Sequence, residues 1–222
     1  MTSDTGWRTI GHSIEGRDIR LRTVGTGPRV VLWINGIHGN EPEGALSTAR
    51  LPDAFGADSA RTARVTLHLI EDINPDGHAA DSRFNAAGID LNRNYPLAFA
   101  PAKRHSTQPL DQPESILLAG RIAALQPDLI ISVHSWPEKH FINYDGPAAA
   151  LSERFSALSG YLVVPSDGFH PTPGSLGSWV GIGMGIPILT LEHERGANPI
   201  HCWQRTGSAI LAVIDPSGSR AG

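Results

Sequence analysis

The stretch LWINGIHGNEPEG, Leu32–Gly44, joins an apolar run to a polar loop. Together with the residues just before it, the run reads RVVLWI over Arg29–Ile34, a continuous apolar pattern typical of a strand covered on both faces. The loop then carries an imidazole, His38, and a carboxylate, Glu41, three positions apart. In open sheets of parallel strands, ligands bind beyond the carboxyl ends of the strands. The stretch therefore predicts an α/β fold with ionisable groups at the mouth of a buried strand.

The rest of the chain alternates strand and helix patterns, which predicts a mostly parallel mixed sheet flanked by helices on both faces. We expect one domain spanning residues 1–222. The alternation of apolar and basic residues in IRLRTV, Ile19–Val24, predicts a strand at the edge of that sheet. Further strands are predicted at Val65–Ile70, Asp128–Val133, 140–145 and Ile186–Glu192, and helices at Pro42–Leu51, Gln112–Leu125, 148–161 and 200–214.

Composition excludes several classes of protein. The net charge is −4, without a basic stripe, so we expect no nucleic-acid partner. A single cysteine, Cys202, cannot form an internal disulfide and is compatible with a reducing compartment. No run of about 18 apolar residues predicts a membrane span, and no signal-peptide pattern opens the chain. We therefore expect a cytoplasmic protein that does not enter the membrane, although a leader removed before numbering stays open, and so does the oligomeric state.

Three predicted strands run into ionisable groups. The first leads to His38 and Glu41, the second to His134, and the third to Glu192. Two imidazoles and a carboxylate form one of the usual catalytic zinc sets, with a fourth position left for water. The alternative is a chance His-x-x-Glu pair and a histidine satisfied within a core or a loop. Between these strands lies a long polar region, about Glu71–Gln112, of the length that is usually functional or disordered.

Several short motifs follow one another along the chain. They are HGNE (His38–Glu41), NPDG (Asn74–Gly77), RFNAAGIDLNRNYP (Arg83–Pro96), SVHSW (Ser132–Trp136), TPGSLGSW (Thr172–Trp179) and TLE (Thr190–Glu192). This ordered set, which spans about Gly36 to Glu194, resembles the zinc carboxypeptidase family of metallopeptidases. It is most similar to the bacterial murein peptide amidase branch, which cleaves a γ-D-glutamyl bond to diaminopimelate. The resemblance implies that family's three-layer sandwich.

The resemblance implies a metal centre and a base. His38, Glu41 and His134 match the ligands of one Zn²⁺ ion. Glu192 matches the general base that takes a proton from the attacking water. Glu194 is a rival for that role, because it would lie on the same face if the strand continued two residues further.

The resemblance also implies substrate contacts. Arg83 matches the arginine that stabilises the oxyanion, and Asn92 with Arg93 matches the pair that grips a substrate carboxylate. The alternative for both arginines is that they are solvated loop residues without a role in binding. Digestive members carry a mobile tyrosine near the position of Ser166–Gly174, where this chain has none. His170 is predicted to donate a hydrogen bond to the substrate there, with an exposed loop histidine as the alternative.

These residues predict a zinc-dependent hydrolase that cleaves a peptide or amide bond next to a free carboxylate. The expected substrate is a small peptide, with a murein-like γ-D-glutamyl-diaminopimelate peptide first. HGNE with DLNR is also similar to the aspartoacylase and succinylglutamate desuccinylase branch, so an acyl amino acid substrate is the second hypothesis. A third is an inactive relative that binds peptides or metal.

Overall fold

The computed structural model describes residues 6–166 and 172–219. Its strands are β1 (Trp7–His12), β2 (Asp18–Val24), β3 (Arg29–Ile34), β4 (Val65–Ile70), β5 (Leu129–Trp136), β6 (Phe141–Asp145), β7 (Leu162–Pro165) and β8 (Ile188–Glu194). Its α-helices are α1 (Ala45–Gly56), α2 (Ser59–Arg64), α3 (Pro75–Ala79), α4 (Pro113–Leu125), α5 (Ala149–Ser159) and α6 (Pro199–Ile214). Within these described ranges, the helices are too short or too polar to cross a bilayer.

The eight strands form one mixed sheet in the order β1-β2-β4-β3-β5-β8-β6-β7. The four central strands, β4, β3, β5 and β8, are parallel to one another. At one edge, β1 and β2 run antiparallel to their neighbours, and at the other edge β6 runs antiparallel to β8 while β7 is parallel to β6. The prediction of a mostly parallel mixed sheet is therefore confirmed.

The alternation of side chains along β3 divides the core into two layers. Trp33 packs with Phe55 of α1 and Ile210 of α6 on one face of the sheet. Leu32 packs with Leu118 of α4 on the other face. Because successive side chains of a strand point to opposite faces, a strand covered on both sides has to be apolar throughout. This is the physical reason for the uninterrupted RVVLWI pattern and for the three-layer sandwich.

The prediction that Ile19–Val24 lies at a sheet edge is wrong. Trp7–His12 forms β1 and pairs with β2, with Trp7 opposite Arg22. The strand at the other edge, Leu162–Pro165, was also absent from the predictions. Both edge strands leave many side chains partly exposed, so they lack the apolar pattern that marks buried strands.

The long polar region, predicted as functional or disordered, is ordered and packs against the core. It contains α3 and a 3₁₀ turn at Leu91–Arg93, and the side chain of Tyr95 is 1% exposed. Asn85 donates a hydrogen bond of 2.9 Å to the side-chain oxygen of Gln112, the last residue of this region. Buried hydrogen bonds of this kind hold an irregular segment in place without a regular backbone ladder.

Candidate metal centre and active site

The turn after β3 carries His38 and Glu41, and its path depends on a close backbone approach. Glu41 directly precedes a 3₁₀ turn at Pro42–Gly44. Gly39 packs against α3 so closely that a Cβ atom there would lie 2.0 Å from the carbonyl carbon of Gly77. Glycine is therefore required at position 39 to let the two backbones meet, and this contact fixes the loop that presents both side chains.

The structure brings His38, Glu41 and His134 together. The Nδ1 atom of His38 lies 3.0 Å from Oε1 of Glu41, and the Nδ1 atom of His134 lies 3.0 Å from Oε2 of the same carboxylate. The two Nδ1 atoms are 3.2 Å apart. All three residues are buried, and one ligand atom of each lies within 4.8 Å of the others. His134 lies inside β5, which continues to Trp136, three residues beyond the predicted strand end.

The outward-facing ring nitrogens favour a cation at the centre. Nε2 of His38 lies 3.1 Å from a carboxylate oxygen of Asp90, and Nε2 of His134 lies 3.1 Å from the hydroxyl of Ser132. An ionised carboxylate only accepts hydrogen bonds, so we assign the proton of the neutral His38 ring to Nε2. The Nδ1 lone pair then points at Glu41, another acceptor. Lone pairs that converge in this way are suited to bind a metal ion. Two histidine nitrogens and a carboxylate, with the histidine rings held by hydrogen bonds, form a ligand set that fits zinc.

Charge and burial shift the pKa values of the site. Burial opposes the ionisation of Glu41, but the nearby imidazoles of His134 and His38 outweigh it and hold the pKa of Glu41 well below the usual range. The pKa of Asp90 is lowered in the same way, mainly by its hydrogen bond with His38, against the effect of burial. Among the described residues none donates a hydrogen bond to Oε2 of Glu192, and burial raises the pKa of this carboxyl group to about 7. The site thus combines two carboxylates that stay ionised, Glu41 and Asp90, with a third, Glu192, whose ionised form is disfavoured by burial.

Glu192 lies opposite His134 in the register of β8 and β5. Its side chain lines the cavity above the metal centre, and its Oε2 atom makes no hydrogen bond with the described residues. Glu194, the rival, has a side chain that is 51% exposed and lies 3.8 Å from His140. Glu194 is absent from the cavity lining, so the geometry favours Glu192.

The cavity has a volume of about 380 Å³ and is also lined by Arg83, Asn92 and Arg93. Nε of Arg83 donates a 2.9 Å hydrogen bond to Asp90, which fixes the guanidinium beside the metal centre. The side-chain oxygen of Asn92 accepts a hydrogen bond of 2.9 Å from the backbone N–H of Leu176, so the amide is fixed as well. Arg93 donates to the backbone oxygen of Asn92. His170 lies outside the described residues.

Three residues of the site were missed in the sequence. A metal-bound histidine usually needs a partner for its outer nitrogen, so the DLNRN motif offered a signal for Asp90. Asp145 is the last residue of β6 and pairs with Ile188 of β8. Ile188 precedes Glu192 by four residues, or ~13 Å along the strand, so Asp145 lines the far end of the cavity. Arg195 donates to Glu41, which is 154 residues away in sequence, and no local pattern reveals such a contact.

Comparison with known proteins identifies the family. A sequence model described as zinc carboxypeptidase matches residues 5–153, which is more than half of the chain. The chain belongs to the zinc carboxypeptidase family. Members of this family use one zinc ion, and His38, Glu41 and His134 are the residues that would hold it here.

Curated relatives of this zinc carboxypeptidase include murein peptide amidase A of Escherichia coli K12. That enzyme is 29% identical over 176 residues, which cover 67% of this chain and 64% of the amidase. The chain therefore spans slightly less than two thirds of that relative. Carboxypeptidase D of Mus musculus is 30% identical over 149 residues, covering 57% of this chain and 10% of the larger protein.

Solved structures share the fold. The murein-tripeptide amidase of Escherichia coli O157 superposes with a TM-score of 0.74 at 22% identity, covering 95% of this chain and 92% of the other. Thrombin-activatable fibrinolysis inhibitor gives a TM-score of 0.77 at 19% identity, covering 94% and 67%. These similarities confirm the predicted zinc carboxypeptidase sandwich.

Proposed function

We propose that this chain is a zinc-dependent amidase or carboxypeptidase that hydrolyses an amide bond next to a free carboxylate. One observation carries the proposal: the buried carboxylate of Glu192 lies opposite His134, in the same cavity as the three candidate zinc ligands. When bound, zinc supplies a Lewis acid at this position. The remaining steps can be assigned to side chains of the chain itself.

Glu192 handles the proton. Its buried carboxylate accepts a proton from the attacking water and then delivers it to the nitrogen of the leaving amine. Because burial disfavours the charged form, proton transfer to this carboxylate costs less than transfer to an exposed one. The buried Oε2 atom accepts no hydrogen bond from the described residues, so its acceptor capacity is not used by the protein.

Arg83 stabilises the charge that develops on the carbonyl oxygen. Its Nε atom is committed to Asp90, and its Nη1 atom lies 3.6 Å from Oε1 of Glu41. The guanidinium is therefore held at the edge of the metal centre before the substrate binds. A preorganised donor costs no rearrangement when the oxyanion forms.

Arg93 and Asn92 bind the carboxylate of the leaving residue. The guanidinium of Arg93 offers a planar fork of donors that matches a carboxylate. Asn92 adds an amide donor, since its oxygen is already occupied by Leu176. An anionic end of the leaving residue is therefore part of the proposed substrate.

Asp145 supports a leaving residue that also carries a cationic group. It is buried at the far end of the cavity, where burial raises its pKa against a hydrogen bond with Ser166, and no described residue forms an ion pair with it. An ammonium group of the substrate would neutralise it. Diaminopimelate combines a carboxylate with a distal ammonium group, so we propose γ-D-glutamyl-diaminopimelate peptides as substrates, in line with the amidases that the chain resembles.

The test is hydrolysis by the zinc-loaded protein, with and without chelator. We expect release of diaminopimelate from L-alanyl-γ-D-glutamyl-diaminopimelate, and little hydrolysis of N-acetyl or N-succinyl amino acids. Activity on the acyl amino acids alone would overturn the proposal. Asp145→Asn should lower kcat/KM for this peptide, but not for a matched peptide that ends in 2-aminopimelate, which lacks the distal amino group.

The other hypotheses have weaker support. The curated relatives described above are a murein peptide amidase and a carboxypeptidase, which favours a peptide over an acyl amino acid as substrate. An inactive peptide-binding relative would have no need for an intact ligand set and a buried Glu192. A cytoplasmic location stays a prediction from the sequence, which cell fractionation would test.

A further inference from the structure

A third arginine, Arg195, lines the cavity and belongs to none of the roles assigned above. It follows β8 directly, and its backbone N–H donates to the carbonyl of Trp136. Its Nη2 atom donates a hydrogen bond of 3.0 Å to Oε1 of Glu41 and one of 3.4 Å to the carbonyl of Ser135. The side chain is 39% exposed, so it is anchored at its tip and still accessible from the cavity.

The guanidinium of Arg195 has donors to spare. Arginine carries five N–H donors, and the hydrogen bonds to Glu41 and Ser135 use Nη2 alone. In the described part of the chain, Nε and Nη1 of Arg195 have no hydrogen-bond partner. Because Cδ lies between Nε and Nη1, these two nitrogens do not form a paired edge, and each is left to donate a single hydrogen bond to a carboxylate oxygen.

Arg195 lies in a different part of the cavity from the leaving-group site. Arg93 packs against the segment that contains Gly174, where an added Cβ would lie 2.5 Å from the backbone oxygen of Arg93. Arg195 instead contacts the metal ligand Glu41 and the backbone just after His134. Because the proposed function assigns the carboxylate of the leaving residue to Arg93, Arg195 is left for the acyl side of the scissile bond.

The charge of the cavity supports a second anionic group on the substrate. The charged side chains among the described lining residues are three arginines and three carboxylates, so the protein alone contributes no net negative charge there. A zinc ion adds two positive charges, which favours a substrate with more than one carboxylate. The lining residues concerned are Arg83, Arg93, Arg195, Glu41, Asp145 and Glu192.

We propose that Arg195 binds a free carboxylate on the acyl side of the scissile bond and thereby favours acyl residues that keep a second carboxylate free. In a γ-glutamyl amide, the side-chain carbonyl is the acyl group and the α-carboxylate stays free, only two methylenes and Cα away. A γ-linked D-isoglutaminyl residue has the same acyl chain but carries an uncharged carboxamide in place of that carboxylate. This inference rests on the proposed amidase function and adds the acyl-side specificity.

The experiment compares two peptides that differ at one group. L-Alanyl-γ-D-glutamyl-diaminopimelate has a free α-carboxylate, and its D-isoglutaminyl counterpart has an uncharged carboxamide there. We expect the zinc-loaded wild type to prefer the free acid in kcat/KM by ~10- to 100-fold, the usual worth of a charged hydrogen bond. In Arg195→Gln the two peptides should be cleaved about equally, and Arg195→Lys should lie between.

The ratio of the kcat/KM values for the two peptides separates a loss of specificity from damage to the metal centre. Arg195 contacts Glu41, so its loss can lower zinc content, but a metal-free fraction reduces both rates by the same factor. Arg205→Gln is the matched control, because Arg205 donates to the carbonyl of Ser159 away from the cavity and should keep the wild-type ratio. A wild type that does not discriminate, or an Arg195→Gln variant that keeps the full preference, would overturn the inference.

Binding of the acyl product provides a second readout that does not depend on turnover. By calorimetry, we expect wild type to bind L-alanyl-D-glutamate more tightly than its α-amide, and Arg195→Gln to bind both equally. If neither peptide is hydrolysed by wild type, the proposed function fails, while this binding difference still decides the role of Arg195. Equal binding by wild type would count against that role.

Discussion

His134 and Glu192 lie directly opposite each other on the neighbouring parallel strands β5 and β8. A candidate ligand and the candidate base are thus brought together by the sheet itself. The next residue, His193, points to the other face, where it is fully buried, hydrogen-bonded to Tyr161, and has a pKa that burial lowers to about 4. A slip of one residue in this register would exchange the two faces and remove the base from the cavity.

Glu192→Gln tests the base. The amide keeps the shape of the side chain but cannot accept the proton, so we expect kcat/KM to fall ~10²- to 10⁴-fold while zinc content stays unchanged. Peptide hydrolysis and metal analysis of the same sample measure both. Glu194→Gln is the matched control on the same strand and should stay near wild type. The reverse pattern would assign the role to Glu194.

Zinc binding should stabilise the folded protein. A ligand that binds only the native state at ~100 times its Kd adds ~2.7 kcal/mol to the free energy of unfolding, which a rise in Tm reports. We expect His134→Ala to lose this zinc-dependent rise, because one ligand is missing. His201→Ala removes an exposed histidine on α6 and should keep it. If zinc raised the Tm of His134→Ala as much as that of wild type, the assigned ligand set would be contradicted.

Asp90→Asn should weaken zinc binding ~10- to 100-fold, because the carboxylate orients the His38 ring and increases its basicity. Competition with a fluorescent chelator measures the change in Kd. Asp18→Asn provides the control: Asp18 pairs with His12, also an aspartate–histidine contact, but at the β1–β2 edge. Equal zinc affinities for wild type and Asp90→Asn would rule out the orienting role.

Gly39→Ala should destabilise the chain by ~1–3 kcal/mol, because the new methyl group meets the backbone at Gly77 and the turn has to shift. Gly120→Ala, at an exposed position of α4 with no neighbour within 4 Å, should instead add ~0.5–1 kcal/mol through helix propensity. Denaturant unfolding of the metal-free proteins compares the two. A stable Gly39→Ala variant would show that the close approach is not required.

The sequence predicts the centre of this molecule better than its edges. Strands β3, β5 and β8 are buried on both faces, so their composition is distinctive and their carboxyl ends mark the site. The edge strands β1 and β7 obtain their structure from pairing with a neighbour, which a local pattern does not encode. The contact of Arg195 with Glu41 joins residues that are 154 positions apart, so no local sequence pattern predicts it either. The role of His170 stays a prediction.

Asp90 connects the metal-binding residues with the proposed substrate-binding residues, which come from different segments of the chain. The zinc ligands come from the turn after β3 and from β5, whereas Arg83, Asn92 and Arg93 all come from the one irregular segment between β4 and α4. Through Asp90, this segment also supports the ring of His38. Insertions elsewhere in the segment can therefore diversify substrate choice while metal chemistry is preserved, but any change that displaces position 90 alters both at once.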